Sequence, residues 1–147
     1  MSRRLIVDTT ILIAVERGTL AIGQVIREDD DVAVAAITVA ELLVGVELAD
    51  PDRQHRRQRL VEDLLSVLPI EPYVYSTARA HARLLAHMKR VGSPRGAHDL
   101  IIAATAVATG RSVLTTDAAA GWTDLPEVST VSAATAADPP PASAPAR

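Results

Sequence analysis

Four carboxylates in this sequence fall where side chains from distant parts of a chain can work together: Asp8, Glu41, Asp99 and Asp117. Asp8 follows a short apolar run at 5–7. Glu41 is expected in the first turn of a helix opened by Thr38. Asp99 begins a segment that is otherwise apolar almost all round, and Asp117 follows the run 112–115. In open α/β sheets, ligands bind beyond the carboxyl ends of the strands. If these strands run parallel, the four acids gather on one edge. Crowded carboxylates resist ionisation unless a positive charge compensates them. Magnesium accepts a few carboxylate ligands and keeps several waters. Such an ion promotes ionisation of water and stabilises charge on a phosphate under attack. The combination suits phosphodiester hydrolysis.

Taken singly, each acid has a purely structural role open to it. Asp8 can cap the helix that follows. Thr38-Val39-Ala40-Glu41 matches a capping box, with Glu41 reaching back to the helix start. Asp99 can complement a helix dipole, and Asp117 can close an Asx turn. Only the joint reading makes one geometric demand that all four satisfy.

The elements that must position these acids alternate between strand and helix. Buried strands are predicted at 5–7, 32–37, 67–70 and 112–115, with a short fifth at 128–131. Pro69 suggests an edge position for the third. Helices are expected after Asp8 as far as Gly18, over 21–28, from Thr38, after Asp50-Pro51-Asp52, over 73–90 and over 97–109. Gly92-Ser93-Pro94-Arg95-Gly96 is a loop by its breakers. This alternation predicts an α/β fold, a three-layer α/β/α sandwich with a mainly parallel sheet of four or five strands. Residues 1–131 are expected to form one domain, and 132–147, rich in Ala and Pro, a disordered tail.

Composition excludes several classes. The chain has 147 residues, 48% of them hydrophobic, which suits a single core. There is no cysteine, so disulfides and thiolate metal sites are out. His55, His81, His87 and His98 include no i,i+4 pair, which argues against zinc. With no Phe and one Trp, little surface is available for stacking bases. The net charge of −3 runs against the basic balance usual in nucleic-acid binders. No apolar run approaches the roughly 20 residues needed to cross a bilayer. Asp8 interrupts the amino-terminal stretch where a signal peptide would need an apolar core. The expected location is the cytoplasm, without a membrane partner.

The segments IVDTTILIAVERG, ITVAELLVG, GSPRGAHDLIIAATAVATG and VLTTD occur in order over about residues 4–131. Together they resemble the PIN-domain ribonucleases, and more closely the VapC toxins of bacterial toxin–antitoxin pairs. The resemblance implies that Asp8, Glu41, Asp99 and Asp117 are catalytic acids binding magnesium or manganese and positioning an attacking water. Asp8, Asp99 and Asp117 are the metal ligands so implied. Thr9, Thr10, Thr115 and Thr116 would support the substrate or the metal shell. The family also implies single-stranded or loop RNA substrates (tRNA or rRNA), a homodimer, and a neutralising VapB-type antitoxin. One departure stands out. Where many relatives carry a further acid and a Phe, this chain has Ala120, Gly121 and Trp122. That argues for one ion rather than two, with Asp117 its weakest ligand or a base beyond it, and Asp124 a substitute.

The densest positive patch is Arg53, His55, Arg56, Arg57 and Arg59. It is read first as a solvated helix with i,i+3 and i,i+4 pairs, and second as a phosphate or partner contact. Arg95 and His98 flank Asp99, and either can meet a phosphate, while His98 can equally cap its helix. Two rivals remain. One is a degenerate PIN-like module that binds protein or RNA without catalysis. The other is a metal phosphatase, weakened because Thr10 stands where such enzymes carry a second Asp.

Overall fold

In the computed structural model, residues 2–116 and 121–133 are described. Strand β1 (Arg4–Val7) leads into helix α1 (Thr9–Glu16). A single 3-10 turn (Ile22–Gln24) stands where a short helix over 21–28 was expected. Strand β2 (Asp31–Ala35) passes directly into α2 (Ala36–Glu47), and α3 (Pro51–Val67) follows, with Asp50 at its N-cap and Pro51 in its first turn. Strand β3 (Ile70–Glu71), α4 (Tyr75–Val91), α5 (Ala97–Thr109), β4 (Ser112–Thr115) and β5 (Thr130–Ser132) complete the order. The sheet runs β3-β2-β1-β4-β5, and every neighbouring pair is parallel.

Parallel strands buried on both faces need apolar side chains pointing both ways, and period-2 alternation divides them. Leu5, Val7, Val32, Val34 and Leu114 join one core with Ile11 and Leu12 of α1, Leu42 and Val46 of α2, and Val61 and Leu64 of α3. Ile6, Ala35 and Val113 join the other, with Leu84 of α4, the Ala-rich face of α5 and Trp122. The expected α/β/α sandwich is the one observed. Truncating a fully buried Leu such as Leu84 to Ala typically costs about 2–5 kcal/mol.

The opposite end of the sheet from the acids is tied by Arg111, whose side chain is almost fully buried. It donates to the backbone carbonyls of Leu5 (3.3 Å) and Asp31 (2.9 Å) and to Asp31 Oδ1 (3.0 Å). That guanidinium, with Arg4 further out, holds the Asp31 carboxyl below the usual carboxylate range.

Several element boundaries differ from expectation. Thr38 does not open α2; the helix begins at Ala36 with Ala35 at the N-cap, and Glu41 therefore lies in the second turn. The third strand sits at 70–71 rather than 67–70, at the sheet edge as Pro69 suggested. Strand β5 extends to Ser132, and Ala133 is buried, so ordered packing passes the expected boundary at 131. The remainder of the expected tail, 134–147, lies outside the described residues.

Candidate active site

Asp8 leaves the carboxyl end of β1, and its backbone N–H donates to the Leu114 carbonyl (2.9 Å), extending the β1–β4 pairing by one residue. It occupies the N-cap position of α1 but makes no side-chain capping bond. Its carboxylate, almost entirely buried, turns the other way. Oδ2 accepts the hydroxyls of Thr10 (2.8 Å) and Thr115 (2.9 Å). Two hydroxyls therefore fix the orientation of a buried carboxylate that does not cap its helix.

Glu41 is brought to the same place from α2. The Thr9 hydroxyl donates to Glu41 Oε1 (3.2 Å) and lies 3.3 Å from the hydroxyl of buried Thr38. The capping box expected of Thr38 and Glu41 is therefore absent, because the helix has already begun and both side chains face α1. On the far side, His98 Nδ1 stands 3.8 Å from Glu41 Oε1. His98 is the second residue of α5, whose N-cap is Gly96 with no side-chain capping bond. It faces Glu41 instead of capping.

The links run Thr9 to Glu41 to His98, and Asp8 and Asp99 are the chain neighbours of the two ends. Asp99 lies in the first turn of α5, as expected. It borders a cavity of about 430 Å³ with Arg95, Gly121 and Asp124. The Arg95 guanidinium lies over the face of buried Trp122, 4.6 Å from the ring centroid, a cation–π contact. Gly121 has φ +74°, and a Cβ there would approach Arg95 Nη1 to 3.1 Å and Asp124 Oδ2 to 3.2 Å. A glycine at this turn admits both charged groups.

Asp117, with neighbouring Ala120, lies outside the described residues. Thr116 is exposed at the end of β4. Among the described residues, no three of His, Asp and Glu close into a metal-ligating group. The donor set is nonetheless all hard oxygen, and Asp8 Oδ1 has no protein partner among the described residues. That chemistry fits a small divalent cation. One neighbour of the site carries no separate sequence signal: Thr38, which reads as a cap in the ITVAELLVG segment, is buried beside Thr9.

The chain belongs to the PIN-domain family: the family model for the PIN domain matches residues 5–124. Within it, the chain is similar to a protein named Ribonuclease VapC of Rickettsia bellii, 30% identical over 112 residues, covering 76% of this chain and 83% of that one. It is also similar to Ribonuclease VapC5 of Mycobacterium tuberculosis, 39% identical over 114 residues, covering 76% and 82%. A crystal structure of VapBC-5, a member of the VapBC family of toxin–antitoxin systems from Mycobacterium tuberculosis, superposes with a TM-score of 0.71. That match is 29% identical and covers 88% of this chain and 98% of the other.

Proposed function

We propose that this chain is the ribonuclease toxin of a toxin–antitoxin pair. In this reading it is a magnesium-dependent endoribonuclease (manganese serving as an alternative ion) that cuts single-stranded or loop RNA, tRNA or rRNA, in the cytoplasm. The observation that carries it is buried Asp8, fixed by two hydroxyls beside Glu41 and the first turn of α5. The similarity to proteins named Ribonuclease VapC supports the same reading.

Asp8, Asp99 and Asp117 are the residues that would hold the ion, and Asp124 is near enough to the Asp99 cavity to assist. When bound, magnesium supplies the charge that offsets the carboxylates, promotes ionisation of water and stabilises a phosphate under attack. The protein's own groups do the rest. Thr10 and Thr115 orient the Asp8 carboxylate. Thr9 orients Glu41, which receives a proton from the attacking water. His98 and Arg95 stand at the rim where a phosphate arrives.

The antitoxin and a second copy of the chain need apolar surface, and two patches offer it. Leu43, Val44 and Leu48 are exposed on and just after α2, and Tyr73, Val74 and Tyr75 around the start of α4. We assign these to VapB-type antitoxin binding and to a homodimer. An Arg from such an antitoxin, placed among the acids, would stand in for the cation and block the substrate.

Inducing wild type and Asp99→Asn without an antitoxin, with total RNA resolved alongside, tests the proposal. Growth arrest with a discrete RNA fragment, both lost in the variant, is expected. Soluble wild-type protein that causes neither would favour a non-catalytic PIN-like binding module, a reading consistent with Gly121 and Trp122 in place of the downstream motif.

A further inference from the structure

Two cavities running outward from Glu41 share three lining residues and form one groove. The first, about 230 Å³, starts at Thr9 and Glu41 and is bounded further out by Glu16, Arg17 and Arg57. The second, about 440 Å³, shares those three residues and continues to Arg53 and Arg56. Sequence spacing explains the row: Arg53, Arg56 and Arg57 are related by i,i+3 and i,i+4, so α3 presents them on one face. His55 and Arg59 fall outside it, and the patch is more ordered than its composition suggested.

The arginines differ in what they already do. Arg57 is engaged, with Nε 3.0 Å from Glu16 Oε1 and Nη1 donating to the Gly45 carbonyl (3.2 Å), and it pins α3 to α1 and α2. Arg17, Arg53 and Arg56 are exposed and make no side-chain bond among the described residues. The solvated-helix reading predicted i,i+3 and i,i+4 ion pairs for this patch. Within α3 the side-chain pair found is instead Gln58 with Glu62 (3.1 Å). Three guanidiniums without a carboxylate partner among the described residues therefore line a groove that ends at Glu41, with Glu16 along it paired to Arg57.

We infer that Arg17, Arg53 and Arg56 form a phosphate track that holds the RNA strand flanking the cleaved bond, an assignment that presupposes the nuclease activity proposed above. A chain of net charge −3 repels a polyanion at long range, so productive binding needs local positive charge. The groove supplies it beside the acids, where a strand delivering one phosphate must place its neighbours. No aromatic side chain lines either cavity. The track therefore contacts backbone rather than bases, and its contribution is salt-dependent and indifferent to sequence.

The test uses the full chain and a fluorescein-labelled single-stranded RNA, titrated in EDTA at several salt concentrations, with cleavage kinetics measured separately in magnesium. Arg53→Ala/Arg56→Ala is expected to bind more weakly, with the slope of log affinity against log salt reduced by roughly 0.7 per arginine. Its KM should rise with kcat unchanged, and Arg53→Lys/Arg56→Lys should recover much of the loss. Because neither side chain has a partner among the described residues, both variants should keep the wild-type Tm, which separates the effect from misfolding. Wild-type affinity and slope in the alanine variant would overturn the track while leaving the nuclease reading intact. So would loss of a protein partner with RNA binding unchanged, which would make the groove a protein-docking surface. Wild type that neither binds nor cuts RNA would overturn both.

Discussion

Thr115, the last residue of β4, donates its hydroxyl to Oδ2 of Asp8, the residue that follows the neighbouring strand β1, at 2.9 Å. The two are 107 positions apart in sequence, and parallel pairing of β1 with β4 makes them neighbours. Supporting hydrogen bonds of this kind typically carry 10–100-fold in metal affinity or activity. Thr115→Val should therefore raise the magnesium concentration for half-maximal cleavage within that range, while Thr115→Ser stays near wild type. Titrating magnesium in a cleavage assay checks this. Equal magnesium dependence in all three proteins would show that the hydroxyl does not serve the site.

Away from the site, stability carries a legible pH dependence. The Asp30 carboxylate accepts the Arg3 guanidinium and the backbone N–H groups of Arg27 (2.7 Å) and Arg3 (3.3 Å). With Arg3 as the largest cause, its pKa is lowered from 3.8 to about 2. A carboxyl depressed on folding contributes stability that is fully present above its unfolded value and is lost as pH falls through the folded one. Asp30→Asn should be less stable than wild type at neutral pH, and the gap should narrow as pH falls from about 3.8 towards about 2. Denaturant melts across that range decide the matter, and a gap independent of pH would contradict it.

Gly121 offers a separate check on the loop beside Asp99. A residue other than glycine at its φ of +74° costs about 1–3 kcal/mol. The added methyl also crowds Arg95 and Asp124. Gly121→Ala should lower Tm by roughly 3–9 °C, which calorimetry would detect. An unchanged Tm would mean that this turn relaxes freely.

The fold was readable because its signals are local and repeated. Strands β1, β2 and β4 are apolar runs close to their expected places, Gly18 follows the end of α1, and α5 is apolar almost all round because it is buried. The failures have physical causes too. From Val32 to Val39 the sequence has no polar break except Thr38, so nothing marks where β2 stops and α2 starts. Thr38 was taken for a cap when it is a buried neighbour of Thr9. A two-residue edge strand such as β3 is too short to show a period. Asp8 and Glu41 stand out in the sequence as candidates, but their orientation by Thr9, Thr10 and Thr115 depends on contacts between distant segments. No spacing rule encodes those contacts. The groove from Glu41 to Arg56 is likewise a property of three packed helices, not of any one of them.

The most direct test of the central claim is cleavage of total RNA by the purified chain, in magnesium and in EDTA, with Asp8→Asn run in parallel. Asp8→Asn keeps the shape of a side chain that accepts the Thr115 hydroxyl beyond the ends of β1 and β4 but removes its charge, so circular dichroism should show it folded. Discrete cleavage by wild type in magnesium, absent in EDTA and absent in the folded variant, is the predicted result. Cleavage that persists in EDTA, or in Asp8→Asn, would contradict the account.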